Sequence, residues 1–206
     1  MTAREAGAAA REEHHNRDPL RINGARARIL DTAYALFSRH GIHAVGIDRI
    51  IAEADVAKAT LYHHFPSKEA LVIAFLELRN ERWIHDWLEV EAERRATNPQ
   101  GRALAVFDAL DEWFHRPDFE GCSFVNTLLE ITDADSPVHE EAVRQMGHVR
   151  GVLEGYAQQA GVKDPVQTGY QLQIIVVGSI VCACGADPDA AQRARPLVAS
   201  LLASAS

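Results

Sequence analysis

From Arg26 onward the apolar positions of this chain recur at helical spacing. Ile29, Leu30, Ala33, Leu36 and Phe37 fall at i, i+1, i+4, i+7 and i+8, which gathers them on one face of a first helix that Gly41 is suited to end. Ile47, Ile50, Ile51 and Ala54 form the inner face of a short second helix, interrupted at Asp55-Val56-Ala57. A third, Lys58 to Phe65, turns Leu61 and Phe65 inward and is stopped by Pro66. Ser67 is a good N-cap for a fourth helix, residues 68–97, whose apolar positions run through Leu71, Phe75, Leu78, Trp83 and Trp87. Further helices are predicted at about Gly101 to His115, Ser123 to Ile131, Pro137 to Ala160 and Pro165 to Gly185, with a last one from Asp187-Pro188. Ser136-Pro137, Asp164-Pro165 and Asp187-Pro188 each pair an N-cap residue with proline at the first helical position. Pro196 should kink the last helix or delay its start. No stretch alternates apolar and polar positions between turn signals, so the fold class is all-α.

Charge divides this helical chain in two. The formal net charge is −8, yet residues 1–79 hold 11 Lys and Arg against 10 Asp and Glu, while residues 80–206 hold 10 against 19. Such asymmetry points to an anion-binding module joined to an acidic partner module. The first 20 residues, rich in Ala, Arg, Glu and His, read as a flexible arm. No apolar run reaches the roughly 18–20 residues that cross a bilayer, and no apolar segment follows the N-terminal arginines, so a cytoplasmic location without membrane contact is expected. Cys122, Cys182 and Cys184 lack the spacing of a zinc site or disulfide framework, and are expected to be reduced and buried. Neither a metal nor another cofactor is expected.

Three short helices with a tight turn between the second and third are the layout of a helix-turn-helix. The stretch Ile47-Asp48-Arg49-Ile50-Ile51-Ala52-Glu53-Ala54-Asp55-Val56-Ala57-Lys58-Ala59-Thr60-Leu61-Tyr62-His63-His64-Phe65-Pro66-Ser67-Lys68-Glu69-Ala70-Leu71 closely resembles the signature of the tetracycline-repressor (TetR) family. It departs from that signature at Asp55, where glycine is usual in the turn, and at Gly46, where Ser or Thr usually caps the second helix. The resemblance implies a DNA-binding domain over residues 21–68 and a ligand-binding and dimerisation domain over 69–206. It implies base reading from Lys58, Ala59 and Thr60, with Tyr62, His64 and Lys68 on the phosphate backbone. Arg49 and His63 join them as candidate contacts from their place on the polar faces, and Arg21, Arg26 and Arg28 could add phosphate contacts. The partners so implied are a second copy of the chain, a palindromic double-stranded operator and a small-molecule effector.

The C-terminal part is less legible. Ala190, Ala194, Leu197, Val198, Leu201 and Leu202 form an apolar stripe suited to a dimer interface, with Gly169, Gly178 and Ser179 allowing close approach. Gly121-Cys122-Ser123-Phe124-Val125-Asn126 resembles a Gly-Cys-x-Phe-x-Asn element found in a subset of the family, where a helix begins beside the ligand cavity. Trp113, Phe114, Phe124, Asn126, Leu129, Glu130, Met146 and Val177 are the candidate cavity residues. The acidic surround favours a lipophilic ligand, neutral or cationic rather than anionic. The expected function is a repressor that a small molecule releases from its operator, with an activator as the alternative. An enzyme is the rival from another class, but no phosphate loop, Ser-His-Asp order or H-E-x-x-H supports catalysis.

Overall fold

A computed structural model of the chain describes residues 19–205, so residues 1–18 of the expected arm lie outside it. The described residues are helical, without strands. In order they form α1 (Pro19–His40), α2 (Ile47–Ala54), α3 (Lys58–His64), α4 (Lys68–Asn80), a π-helical segment (Glu81–Glu89), α5 (Val90–Arg95), α6 (Pro99–Phe114), α7 (Ser123–Glu130), α8 (Pro137–Gln159), α9 (Pro165–Cys184) and α10 (Ala190–Ala205).

The first three helices close around Ile29, Ala33, Ile50 and Leu61, all fully buried. Their core continues without a break into α4 through Leu71, Val72 and Phe75, so the N-terminal helices rest on the next helix rather than hang from a linker. The predicted fourth helix is one continuous rod of three parts. Residues spaced four apart overshoot a full turn by about 40° in a regular α-helix and fall short of one in the wider π-helical turn, so the two together hold such residues along one side of the rod. Ile84, Leu88 and Ala92 have that spacing and all are buried.

Side-chain caps explain some of the starts: Ser67 accepts from Ala70 N at 3.1 Å ahead of α4, whereas Ser136 precedes Pro137 and α8 without a side-chain cap bond. Asn98 accepts from Gly101 N at 2.7 Å and Asp164 from Gln167 N at 3.0 Å, each ahead of a first-turn proline. Asp187-Pro188 is different: it makes a turn in which Ala190 N donates to Asp187 O at 3.1 Å, and α10 begins only at Ala190. Pro196 then lies inside α10.

The expected dimer stripe divides in the structure. Ala190, Ala194, Val198 and Leu202 are buried within the protomer, and Leu197 is 61% exposed. Gly169 likewise serves a contact inside the chain, since a Cβ there would lie 2.9 Å from Glu154 Cβ and 3.1 Å from its Cα. The bare apolar face belongs chiefly to α9, where Val166, Tyr170, Ile174 and Val181 are exposed. At 20 residues and a mean hydropathy of 1.4, α9 is apolar enough by length and composition to span a bilayer, but it packs on α8 and α10. Cys182 and Cys184, in the last turn of α9, are exposed rather than buried.

Candidate nucleic-acid interface and adjoining cleft

Between α2 and α3 the chain turns at Asp55, whose φ of 50° and ψ of 59° are left-handed. Asp and Asn reach this region at lower cost than other non-glycine residues, which is how the turn forms without its usual glycine. Val56 N donates to Ile51 O at 3.3 Å, closing α2 before Ala57 opens α3. Helix α3 is held by its inner side: Leu61 is fully buried, and Phe65 just after it is 2% exposed.

Its outer side presents Lys58, Ala59, Tyr62 and His63 to solvent, with Thr60 and His64 partly covered. Lys58 Nζ lies 3.5 Å from Asp48 Oδ1, with both side chains largely exposed. Such a pair contributes little, so the ammonium is free to exchange it for a phosphate. His64 has its pKa lowered, first by burial and then by the neighbouring His63 and Arg26 charges, and among the described residues its Nε2 has no hydrogen-bond partner. Arg49 is exposed on α2, where it pairs with Glu53 Oε1 at 2.8 Å and lies 3.4 Å from His40 Nε2.

Other basic candidates already have local tasks. Lys68 Nζ donates to Ile42 O at 2.7 Å, and burial lowers its pKa while Glu130 opposes the shift. Arg28 Nε donates to Ala54 O at 3.5 Å, and Arg26 stacks 5.0 Å from the Phe65 ring centroid. The Arg21 side chain lies outside the described residues.

Glu130, expected in a cavity wall, instead accepts from Ile42 N at 3.2 Å and His43 N at 2.7 Å. The end of α7 therefore grips the loop that joins α1 to α2. Asn126 and Leu129 point outward, Leu129 being 73% exposed, because the inner face of this short helix is taken by Phe124 and Thr127. Met146 and Val177 are partly buried, and Met146 packs against the core.

Trp113 and Phe114 are buried in an aromatic cluster that borders an open cleft of about 420 Å³. The centroids of Trp83, Trp87 and Trp113 stand 5.6–5.8 Å apart in a triangle on its wall. Across from them Arg79 Nη1 donates to Tyr34 Oη at 2.9 Å, and the Arg82 guanidinium lies 4.8 Å from the Tyr34 ring centroid. The cleft thus joins α1 to the α4 rod. Behind it, Arg79, Trp83, Trp113, Cys122 and Phe124 line a void of about 10 Å³, room for roughly one water. Tyr34, Arg79, Arg82 and Trp87 are absent from the expected cavity residues. One signal was available: Arg79 continues the four-residue series Leu71, Phe75, Arg79, Trp83, Trp87, a cation on an otherwise apolar line.

Residues 29–75 match the family model described as bacterial regulatory proteins, tetR family. The crystal structure of SCO4454, a TetR-family transcriptional regulator from Streptomyces coelicolor, is 33% identical and superposes with a TM-score of 0.79, covering 88% of this chain and 95% of that one. The reduced form of Escherichia coli NemR, 21% identical, shares the fold with a TM-score of 0.76 over 85% of this chain and 95% of that one. The HTH-type transcriptional regulator UidR of Escherichia coli K12 is 42% identical over 105 residues, which are 51% of this chain but only 39% of UidR. The chain thus spans about two-fifths of the length of this curated relative.

Proposed function

The chain belongs to the TetR family of transcriptional regulators, and from that premise we propose that it is a homodimeric repressor released from a palindromic operator by a small molecule. The observation that carries this reading is α3 itself, a short helix anchored by fully buried Leu61 with Lys58, Tyr62 and His63 left open to solvent. Residues 21–68 serve as the DNA-binding unit and residues 69–206 as the effector and dimerisation unit. Lys58, Ala59 and Thr60, at the front of α3, read bases. Tyr62, His63 and His64 hold phosphates, with Arg49 flanking them. Lys68 acts there only if DNA draws it away from Ile42 O, and otherwise it fixes the α1–α2 loop. The Gly121-Cys122-Ser123-Phe124-Val125-Asn126 element opens α7 beside the effector cavity, as in the family subset it resembles.

The coupling runs by two routes. The α4 rod carries Arg79, Arg82, Trp83 and Trp87 at the cleft and Lys68 at its other end. Glu130 joins the end of α7 to the same α1–α2 loop. An effector favouring a conformer with misplaced recognition helices lowers operator affinity by its differential affinity for the two states, usually about 1–3 kcal/mol.

The test is binding of the full-length protein to inverted repeats upstream of its own gene, followed by fluorescence anisotropy. Tyr62→Ala should weaken binding to every operator variant alike, whereas Lys58→Ala or Thr60→Ala should change which variant is preferred. Equal losses for all three proteins on every variant would sink the assignment of contacts. Failure to bind any DNA in a salt-dependent way would sink the function.

A further inference from the structure

The cleft between α1 and the α4 rod holds a combination of groups that the fold itself leaves incomplete. Arg79 is only 8% exposed, and among the described residues no carboxylate lies within ion-pair distance of it. Its one side-chain hydrogen bond goes to the neutral Tyr34 hydroxyl. Beside it, Trp83 Nε1 is buried and, among the described residues, has no hydrogen-bond partner. A buried guanidinium without a counter-charge and a buried indole N–H without an acceptor are both costly, and one ligand group that only accepts hydrogen bonds would relieve both.

The other charges of the wall are mostly spoken for. Arg82 pairs with Asp31 at 2.6 Å, and Arg116 forms a two-bond pair with Asp118 at 2.6 and 2.8 Å. Glu120 also lines the cleft. The formal sum of these side chains is therefore near neutral, and what distinguishes the site is Arg79 without a carboxylate partner next to the unpartnered Trp83 Nε1. The triangle of Trp83, Trp87 and Trp113 offers flat apolar faces next to those donors. A cage of indoles could in isolation hold a cation, but a cation placed here would face Arg79 in a poorly hydrated wall.

We propose that this cleft binds a planar aromatic carboxylate, its ring against the tryptophan triangle and its carboxylate on Arg79 and Trp83 Nε1. A carboxylate suits a guanidinium by charge and by its pair of acceptor oxygens. The volume of about 420 Å³ suits one or two fused or linked rings. This ligand class runs against the overall acidity of the chain beyond residue 79, because a buried neighbour outweighs exposed charges farther than a Debye length of about 8–10 Å. The proposal names the effector class for the repressor reading and rests on that reading for its effect on DNA, though not for binding itself. Since the ligand would touch Tyr34 of α1 as well as the α4 rod, it would act on the DNA-binding helices directly.

All three tryptophans of the chain stand at this cleft, so selectively excited tryptophan emission reports on it. The experiment titrates the full-length protein with biphenyl-4-carboxylate, biphenyl-4-carboxamide and biphenyl-4-ylmethylammonium, by calorimetry and by tryptophan emission. The carboxylate should bind about tenfold or more tightly than the amide, with the ammonium weakest, and should shift the emission. Arg79→Met should reduce the carboxylate's advantage over the amide to within about twofold, and Arg79→Lys should recover part of it. Should Arg79→Met fail to fold, the comparison of the three probes on the unaltered protein still decides. Equal or tighter binding of the amide or the ammonium overturns the proposal, as does a carboxylate preference that survives in folded Arg79→Met. Operator release is measured separately: a carboxylate that binds through Arg79 without releasing operator DNA upholds the site and removes its role as the effector site, while the repressor reading stands or falls on operator binding itself.

Discussion

Glu130 follows Leu128 and Leu129 in the sequence and reads there as a polar group strayed into a cavity wall. In the fold its carboxylate accepts two backbone N–H groups of the α1–α2 loop. Gly41 makes that approach feasible: its φ of +80° suits glycine, and a Cβ there would lie 2.6 Å from Glu130 Oε1. Two separate penalties should follow from Gly41→Ala. The left-handed backbone costs about 1–2 kcal/mol for a residue with a Cβ. Displacing the carboxylate adds the loss of charge-assisted hydrogen bonds worth about 1.5–3 kcal/mol each in favourable cases, less here because His43 is exposed. In a double-mutant cycle followed by thermal unfolding, Gly41→Ala should therefore cost less in a Glu130→Ala background than in the native one. Additive losses would show that the glycine and the carboxylate do not share this contact.

At the scale of elements, the helix-turn-helix and the C-terminal bundle differ in how they achieve close packing. The turn at Asp55 is made by local backbone conformation and was readable from the residues around it. The contact between α8 and α9 is instead a tertiary event, in which Gly169 lets α9 come within 3.1 Å of Glu154 Cα measured from its would-be Cβ. Because the obstruction includes backbone, it cannot be relieved by a rotamer change. Gly169→Ala should destabilise the fold by about 1–3 kcal/mol through overpacking, despite alanine's better helix propensity. For a chain of this size that is a fall in Tm of roughly 2–12 °C. A rise in Tm would mean that the helices part without penalty and that the close approach is not needed.

For the whole molecule the deciding feature is the face of α9 left bare by a single chain. Val166, Tyr170, Ile174 and Val181 are each at least 45% exposed, and Leu197 of α10 adds to the same apolar side. Adjoining it, Ile175 and Cys182 face Ala194 and Leu197 across a shallow groove. A second copy covering this face would remove it from water and set the spacing of the two α3 helices, which must meet successive major grooves about 34–36 Å apart. Ile174→Glu, at a position 69% exposed in the protomer, should leave the protomer folded but place a charge in the dimer interface. The expected outcome is a monomer by light scattering at micromolar concentration, with operator binding lost or strongly weakened. A stable dimer of that variant would move the interface elsewhere.

The sequence by itself determined the helices and the DNA-binding motif, because both are written in short-range terms. Apolar periodicity, Ser67 and Asp164-Pro165 act within a few residues, and the α2–α3 signature is contiguous, whereas the Asn98 cap of α6 went unread and Asp187-Pro188 makes a turn ahead of α10. It also placed Leu61 inward and Tyr62 outward, since a helix fixes which neighbours share a face. Only the tertiary structure decided what the polar residues on apolar faces meet. Glu130 meets a loop 87 residues away, Arg79 meets Tyr34 45 residues away, and Gly169 meets Glu154 on the preceding helix. It also divided the α10 stripe between core and surface and left Cys182 exposed. Periodicity says that a side chain points inward, but the group it meets there depends on how helices cross, and that is set by packing across the whole chain.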